Sequence, residues 1–213
     1  MNIVEDITVR PRETEVLRLL RRGKKEKDPG DFTLGLVREA LAEARPLAHP
    51  KAVYDFFDRP DVPDHPVFLS ARRVGLCICT IGSDLEKRVG DLMARGELAR
   101  GVVLDAVGSE MAETAAQVLD RRMESEHVRS GERAGARFSP GYGEWELEGQ
   151  QWLFEVLDAG RIGVELSSSM MMTPRKSVSF AINLGVDPKP PRCTTPCDQC
   201  DMNDCEFRRD PSV

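Results

Sequence analysis

The chain is poor in histidine, with only His49, His65 and His127 among 213 residues. That scarcity leaves few imidazoles for a catalytic or metal centre. There is no basic surplus: the net charge is −6, which argues against a protein that works by coating nucleic-acid phosphates. No apolar run reaches the roughly 18 residues that span a bilayer, and Met1–Arg10 carries Glu5 and Asp6 rather than an apolar leader segment. The expectation is a cytoplasmic chain with neither a nucleic-acid nor a membrane partner. Two phosphate-binding patterns are also missing. No G-x-G-x-x-G follows an expected strand, and no G-x-x-x-x-G-K-[ST] occurs.

What is present suffices for a real core: 40% of residues are hydrophobic and 31% charged. Apolar spacing predicts a helix from about Pro11 to Arg22 and a second from Asp31, as its cap, to Ala44. The charged run Lys24–Gly30 between them reads as a solvated turn. Five prolines between residues 46 and 67 predict loops around a short strand, Val53–Phe57. Val67–Phe68 and Val74–Ile81 read as strands, the second apolar on both faces and therefore central. Cys77 and Cys79 fall on one side of it as small buried hydrophobes.

Ser83 and Glu86 have capping-box spacing ahead of a helix that buries Leu85, Val89, Leu92 and Met93 and closes at Gly96. A long helix follows, Val102–Glu126, with Met111, Ala115, Val118 and Leu119 inward and Glu113 off that stripe. A glycine-rich loop (131–143), a short helix (148–157) and strands at 163–166 and 177–184 complete the pattern. Helices and strands mix without strict alternation. The fold class is thus α+β, an antiparallel or mixed sheet with flanking helices, followed by a short Cys-rich tail. The organisation expected is a domain over 1–186 and a metal- or cluster-binding tail over 187–213.

The tail carries Cys193-x3-Cys197-x2-Cys200-x4-Cys205. Four thiolates so closely spaced can converge on one ion or cluster. The spacing lacks the separated knuckles of a zinc ribbon. An iron–sulfur cluster is preferred to zinc, with a metal-free tail as the remaining alternative.

Arg137-Phe138-Ser139-Pro140-Gly141-Tyr142-Gly143 combines a guanidinium that can grip a carboxylate with a Pro-Gly turn and an aromatic hydroxyl. It resembles the Arg-x-x-Pro-Gly-Tyr loop of the activation (reactivation) domain of cobalamin-dependent methionine synthase. Ala112-Glu113 resembles the Ala-Glu helix upstream of that loop in the family. Gly163–Met170 and Pro174–Ser179 resemble the segment ending in Pro-x-x-Ser-Val-Ser. The likeness spans about residues 1–185 and is best from 102 onward.

The resemblance implies a domain that binds S-adenosylmethionine and docks over cobalamin held by a partner. There it supports the reductive methylation of cob(II)alamin in methionine synthesis. It further implies that Arg137 grips the ligand's carboxylate, that Glu113 lies near its cationic part, and that Tyr142 stands between ligand and corrin. Gly141 belongs to the same binding loop, and backbone around Gly143 and Glu144 would meet the adenine. His49, His65 and His127 all lack the D-x-H-x-x-G context of a corrinoid ligand. Cobalamin is accordingly expected on a corrinoid-carrying protein or methionine synthase core, with a separate electron donor and this chain as a stand-alone activator associated with methyl transfer. The competing reading is a non-enzymatic iron–sulfur or zinc module that recruits partners on the same fold. It draws on Lys189, Pro190 and Pro191 standing where the family has an aromatic pair.

Overall fold

A computed structural model of the protein describes residues 1–20, 30–127 and 131–185. In chain order its elements are β1 (Asn2–Val4), α1 (Glu13–Leu20), α2 (Gly30–Ala44), β2 (Lys51–Asp58), β3 (Arg73–Thr80), α3 (Asp84–Ala94), α4 (Leu98–His127), β4 (Arg133–Ala134), α5 (Gly149–Val156), β5 (Glu165–Leu166), β6 (Met172–Thr173) and β7 (Ser177–Gly185). One sheet runs in the order β1-β2-β3-β7-β4, antiparallel throughout, and β5 and β6 form a separate hairpin.

β3 is buried along its whole length and lies in the middle of the sheet, as an apolar run on both faces requires. The two-residue period of the strands then sorts the core. Tyr54, Cys77, Cys79, Phe180 and Ile182 face α1–α4, whereas Val53, Leu76, Ile78 and Ala181 face a thinner layer made by α5, Phe68 and Trp145. α4 lies against the middle of the sheet, and Gly75 of β3 allows that approach. A Cβ there would meet Phe56, Ile182 and Met123 at 2.7–2.9 Å. The residue just ahead of α1 is tied to α4 by Glu110, 1% exposed, which accepts from Arg12 Nε at 3.1 Å and from Thr114 Oγ1, on its own helix, at 3.3 Å.

Several local expectations change. Val67–Phe68 is not a strand but part of a 3-10 turn, Pro66–Phe68. Pro66 has no N–H to give a ladder, and His65 Nδ1 accepts from the Val67 N–H at 3.3 Å. The Ser83/Glu86 capping box does not form: Ser83 makes no side-chain cap, and Glu86 Oε1 instead accepts from the Lys176 backbone N–H at 2.8 Å, at the start of β7. Asp31 lies inside the first turn of α2 rather than ahead of it, and α4 begins at Leu98, four residues earlier than the apolar stripe indicated. Only Glu165–Leu166 of the expected strand 163–166 is extended, and it pairs outside the main sheet. β1 was not legible in the sequence.

The charged run 24–29, the tail with Cys193, Cys197, Cys200 and Cys205, and with it the domain division at 187, lie outside the described residues. Among the described residues no helix is long and apolar enough to cross a membrane.

Candidate functional site

Within the loop expected over 131–143, a short stretch follows the sheet edge and then turns. β4 pairs with the end of β7, the Gly135 N–H donates to Asn183 O at 2.8 Å, and Phe138 and Ala181 exchange backbone hydrogen bonds at 3.0 and 2.8 Å. Phe138 points into the layer of Phe68 and Trp145, at ring separations of 5.8 and 5.3 Å. Its neighbour Arg137 therefore projects to the helix side of the sheet. There the guanidinium lies 5.4 Å from the centre of the Phe180 ring and forms an ion pair with Glu113 of α4.

The Arg137 side chain is 11% exposed and that of Glu113 26%. Arg137 Nη2 donates to Glu113 Oε1, while Nη1 is buried with no hydrogen-bond partner. A buried guanidinium nitrogen left unpaired is costly, and a carboxylate offers two acceptor oxygens for such a fork. Beneath the sheet-facing end of the site lies Cys77, whose thiol is pushed well up, first by burial and then by its neighbour Cys79; the Arg137 charge acts in the opposite direction. Both cysteines are fully buried and unpaired by disulfides, as small core residues.

Beyond Phe138 the chain makes a tight reversal. The Tyr142 N–H donates to Ser139 O at 3.2 Å, the Gly141 N–H to Trp145 O at 2.8 Å, and the Trp145 N–H to Tyr142 O at 3.2 Å. Gly141 and Gly143 take φ values of +86° and +59°, where a side chain would strain the backbone. Trp145, 4% exposed, anchors the turn against Phe68 at 5.3 Å. His65 Nε2 meets Glu146 Oε2 at 3.1 Å on its outer side. The Glu146 carboxyl sits below the usual carboxylate range because a backbone N–H bonds it and His65 adds to that. Gly141, Tyr142, Gly143 and Glu144 are all exposed, Tyr142 to 66%.

The fold thus brings Arg137 and Glu113 into contact, although they are 24 positions apart. It sets Gly141, Tyr142, Gly143 and Glu144 on one exposed turn directly after Arg137. Glu113, expected to be free for solvent or ligand, is instead held by Arg137. Sequence reasoning missed Phe180 beneath the guanidinium. The signal for it was its place two residues beyond Val178 on the inward face of β7. It also missed Gln150, which links the layers: its Nε2 donates to Met170 O at 3.1 Å and its Oε1 accepts from Ser179 Oγ at 3.3 Å. Met170 itself has φ +60°. Among the described residues no group of three or more histidine, cysteine or acidic side chains is placed to hold a metal ion.

A family model for the activation domain of vitamin B12-dependent methionine synthase matches residues 51–186. Among solved structures, a crystal structure of the MetH reactivation domain bound to AdoHcy superposes with a TM-score of 0.66. Sequence identity to it is 15%, over 91% of this chain and 81% of that one, so the likeness is one of fold. No curated protein matches the chain.

Proposed function

The chain belongs to the activation-domain family of vitamin B12-dependent methionine synthase, and from that premise we propose that it binds S-adenosylmethionine at the Arg137 turn and serves cobalamin held by a separate corrinoid protein or methionine synthase core. When bound, S-adenosylmethionine supplies the methyl group for reductive methylation of the partner's cobalamin, with the electron coming from a separate donor.

The observation that carries the reading is the half-satisfied guanidinium of Arg137, one nitrogen on Glu113 and the other buried without a partner. It fits the carboxylate end of the ligand. In this reading Glu113, beside Arg137, attracts the cationic part. The left-handed Gly141 and Gly143 open the backbone of the turn to a flat ring, with Glu144 beside them. The exposed face of Tyr142 supports a role as the surface between ligand and corrin. The protein's contribution is orientation: a rigid strand edge, braced by Trp145 and Phe68, holds the donor in place for transfer. Docking to the corrinoid partner is transient in this reading, because an activator that stayed in place would block turnover.

Calorimetry with S-adenosylmethionine and with AdoHcy tests the reading. Arg137→Ala is expected to weaken binding by about 1.5–3 kcal/mol, the range for a hydrogen bond to a charged group, or about 10- to 150-fold. Absence of binding, or equal binding by the variant, refutes it. Mixing the protein with a corrinoid protein, S-adenosylmethionine and a reductant then tests the partner. The corrin spectrum should reach the methylated form faster with this protein than without it.

A further inference from the structure

The exposed Tyr142 has a neighbour at the same end of the sheet. Phe138 pairs antiparallel with Ala181 of β7, so the chain that goes on to Tyr142 leaves the sheet edge at the end where β7 begins. The β5–β6 hairpin enters β7 at that same end, through Pro174. It is a sheet of its own, and a lone hairpin with such short strands is marginal in water. Its tip is closed locally. The Ser167 N–H donates to Met171 O at 2.9 Å, the Met170 N–H to Ser167 O at 3.0 Å and the Met171 N–H to Ser167 Oγ at 3.1 Å. Met170, at φ +60°, lies where a bulky residue rarely sits, and such a conformation persists where its surroundings hold it. Beyond it Met171 is 56% exposed, while Met172 packs into the Phe68 layer.

Gln150, 5% exposed, stands between the two exposed segments. Its backbone N–H donates to Leu147 O at 3.0 Å, where the Tyr142 turn passes into α5. Its side-chain Nε2 donates to Met170 O at 3.1 Å, and Ser179 Oγ of β7 donates to its Oε1 at 3.3 Å. Ser179 thereby sets which way the amide points. Two residues earlier on β7, Ser177 Oγ donates to Pro174 O at 2.6 Å, so both serines secure the segment that carries the hairpin. We propose that Gln150 is a positioning residue, which holds the hairpin tip to the Tyr142 turn so that Met171 and Tyr142 meet the corrinoid partner as one preformed apolar surface. The inference rests on the reading that Tyr142 faces the partner's corrin. A surface already in place spares docking the cost of ordering it. Gln150 acts on the partner's side alone, since it lies in the thin layer, whereas Arg137 and Glu113 meet on the helix side of the sheet.

The test compares the full chain with Gln150→Leu, which keeps the bulk and removes both side-chain hydrogen bonds, and with Met171→Ala, which leaves the buried link intact. Each is mixed with S-adenosylmethionine, a reductant and a methionine synthase core that lacks its own activation domain and holds cob(II)alamin. The initial rate of methylcobalamin formation is read against core concentration. For both variants the KM for the core is expected to rise about three- to tenfold, with kcat and the calorimetric affinity for AdoHcy within about twofold of wild type. Amide hydrogen exchange at Ser167–Met171 should speed up in Gln150→Leu and stay unchanged along β3. A merely structural Gln150 would loosen β3 as well, or weaken AdoHcy together with the core. Should Gln150→Leu fail to fold, Ser179→Ala cuts the same link more mildly and is expected to shift KM and exchange in the same directions. Unchanged exchange at the hairpin when the link is cut, or an unchanged KM for the core in either kind of variant, overturns the proposal. AdoHcy still binds in those cases, so the ligand reading survives. If the wild-type chain does not speed methylation of the core, the partner reading and this proposal fall together.

Discussion

Replacing Phe68 by alanine should destabilise the protein and loosen the turn that carries Tyr142. Phe68 is 1% exposed. Its ring meets those of Trp145 at 5.3 Å, Trp152 at 5.7 Å and Phe138 at 5.8 Å, so it is the centre of the layer on which the turn rests. A buried phenylalanine cut to alanine typically costs about 3–5 kcal/mol through lost burial and the cavity left behind. The upper half of that range applies here, because three aromatic partners lose their ring contacts together, two of them edge-to-face, each worth about 0.5–1.5 kcal/mol. With a urea dependence of about 2 kcal/mol per molar, a loss of about 4 kcal/mol moves the unfolding midpoint down by about 2 M. Trp145 and Trp152 are the only tryptophans in the chain, so intrinsic fluorescence reports on this layer, and circular dichroism follows the helices on the opposite face. Phe68→Leu, which refills most of the volume, should recover most of the loss. A midpoint shift of less than about 0.5 M for Phe68→Ala, equivalent to about 1 kcal/mol, would refute the assignment of Phe68 as the hub.

Tyr54 gives a pH-dependent test. Its pKa is raised, first by burial and then by the hydrogen bond its hydroxyl donates to Glu126 at 3.0 Å. A pKa raised in the folded state means stability that is present below the ordinary tyrosine range and lost as pH rises through the folded value. Urea midpoints should therefore fall between about pH 9 and pH 11, and Tyr54→Phe should flatten that fall; equal slopes would count against it. The Cys193, Cys197, Cys200 and Cys205 spacing predicts one metal centre per chain, preferably iron–sulfur. Protein purified without oxygen should show stoichiometric iron and a visible charge-transfer spectrum. One zinc in a colourless protein would remove the redox role, and neither metal would remove the site.

The sequence by itself determined those features that one segment can specify. An apolar run from Val74 with no polar interruption has to be buried on both faces, and it became the central strand β3. A helical stripe through Met111, Ala115 and Leu119 has to find a core, and it did so along α4. Pro140 and the glycines at 141 and 143 demand a tight turn wherever they occur, and they make one. The motif around Arg137 was legible for the same reason, since its residues are neighbours in the chain.

Tertiary structure decided what depends on which distant segment arrives. Glu86 could have closed its own helix, but the bare backbone N–H of Lys176, at the start of a strand 90 residues away, took it. Val67 and Phe68 have strand-forming side chains, yet His65 takes both of their N–H groups, on its ring and on its carbonyl, and the aromatic layer holds Phe68 as a plug. Glu113 looked free because nothing near it in sequence is basic enough to hold it. It is paired because β4 and Phe138 lie along β7, and that edge delivers Arg137 to the flank of α4. Periodicity tells a residue which way to face. Only packing tells it what it will face, because the partner's position is set by contacts spread over the whole chain.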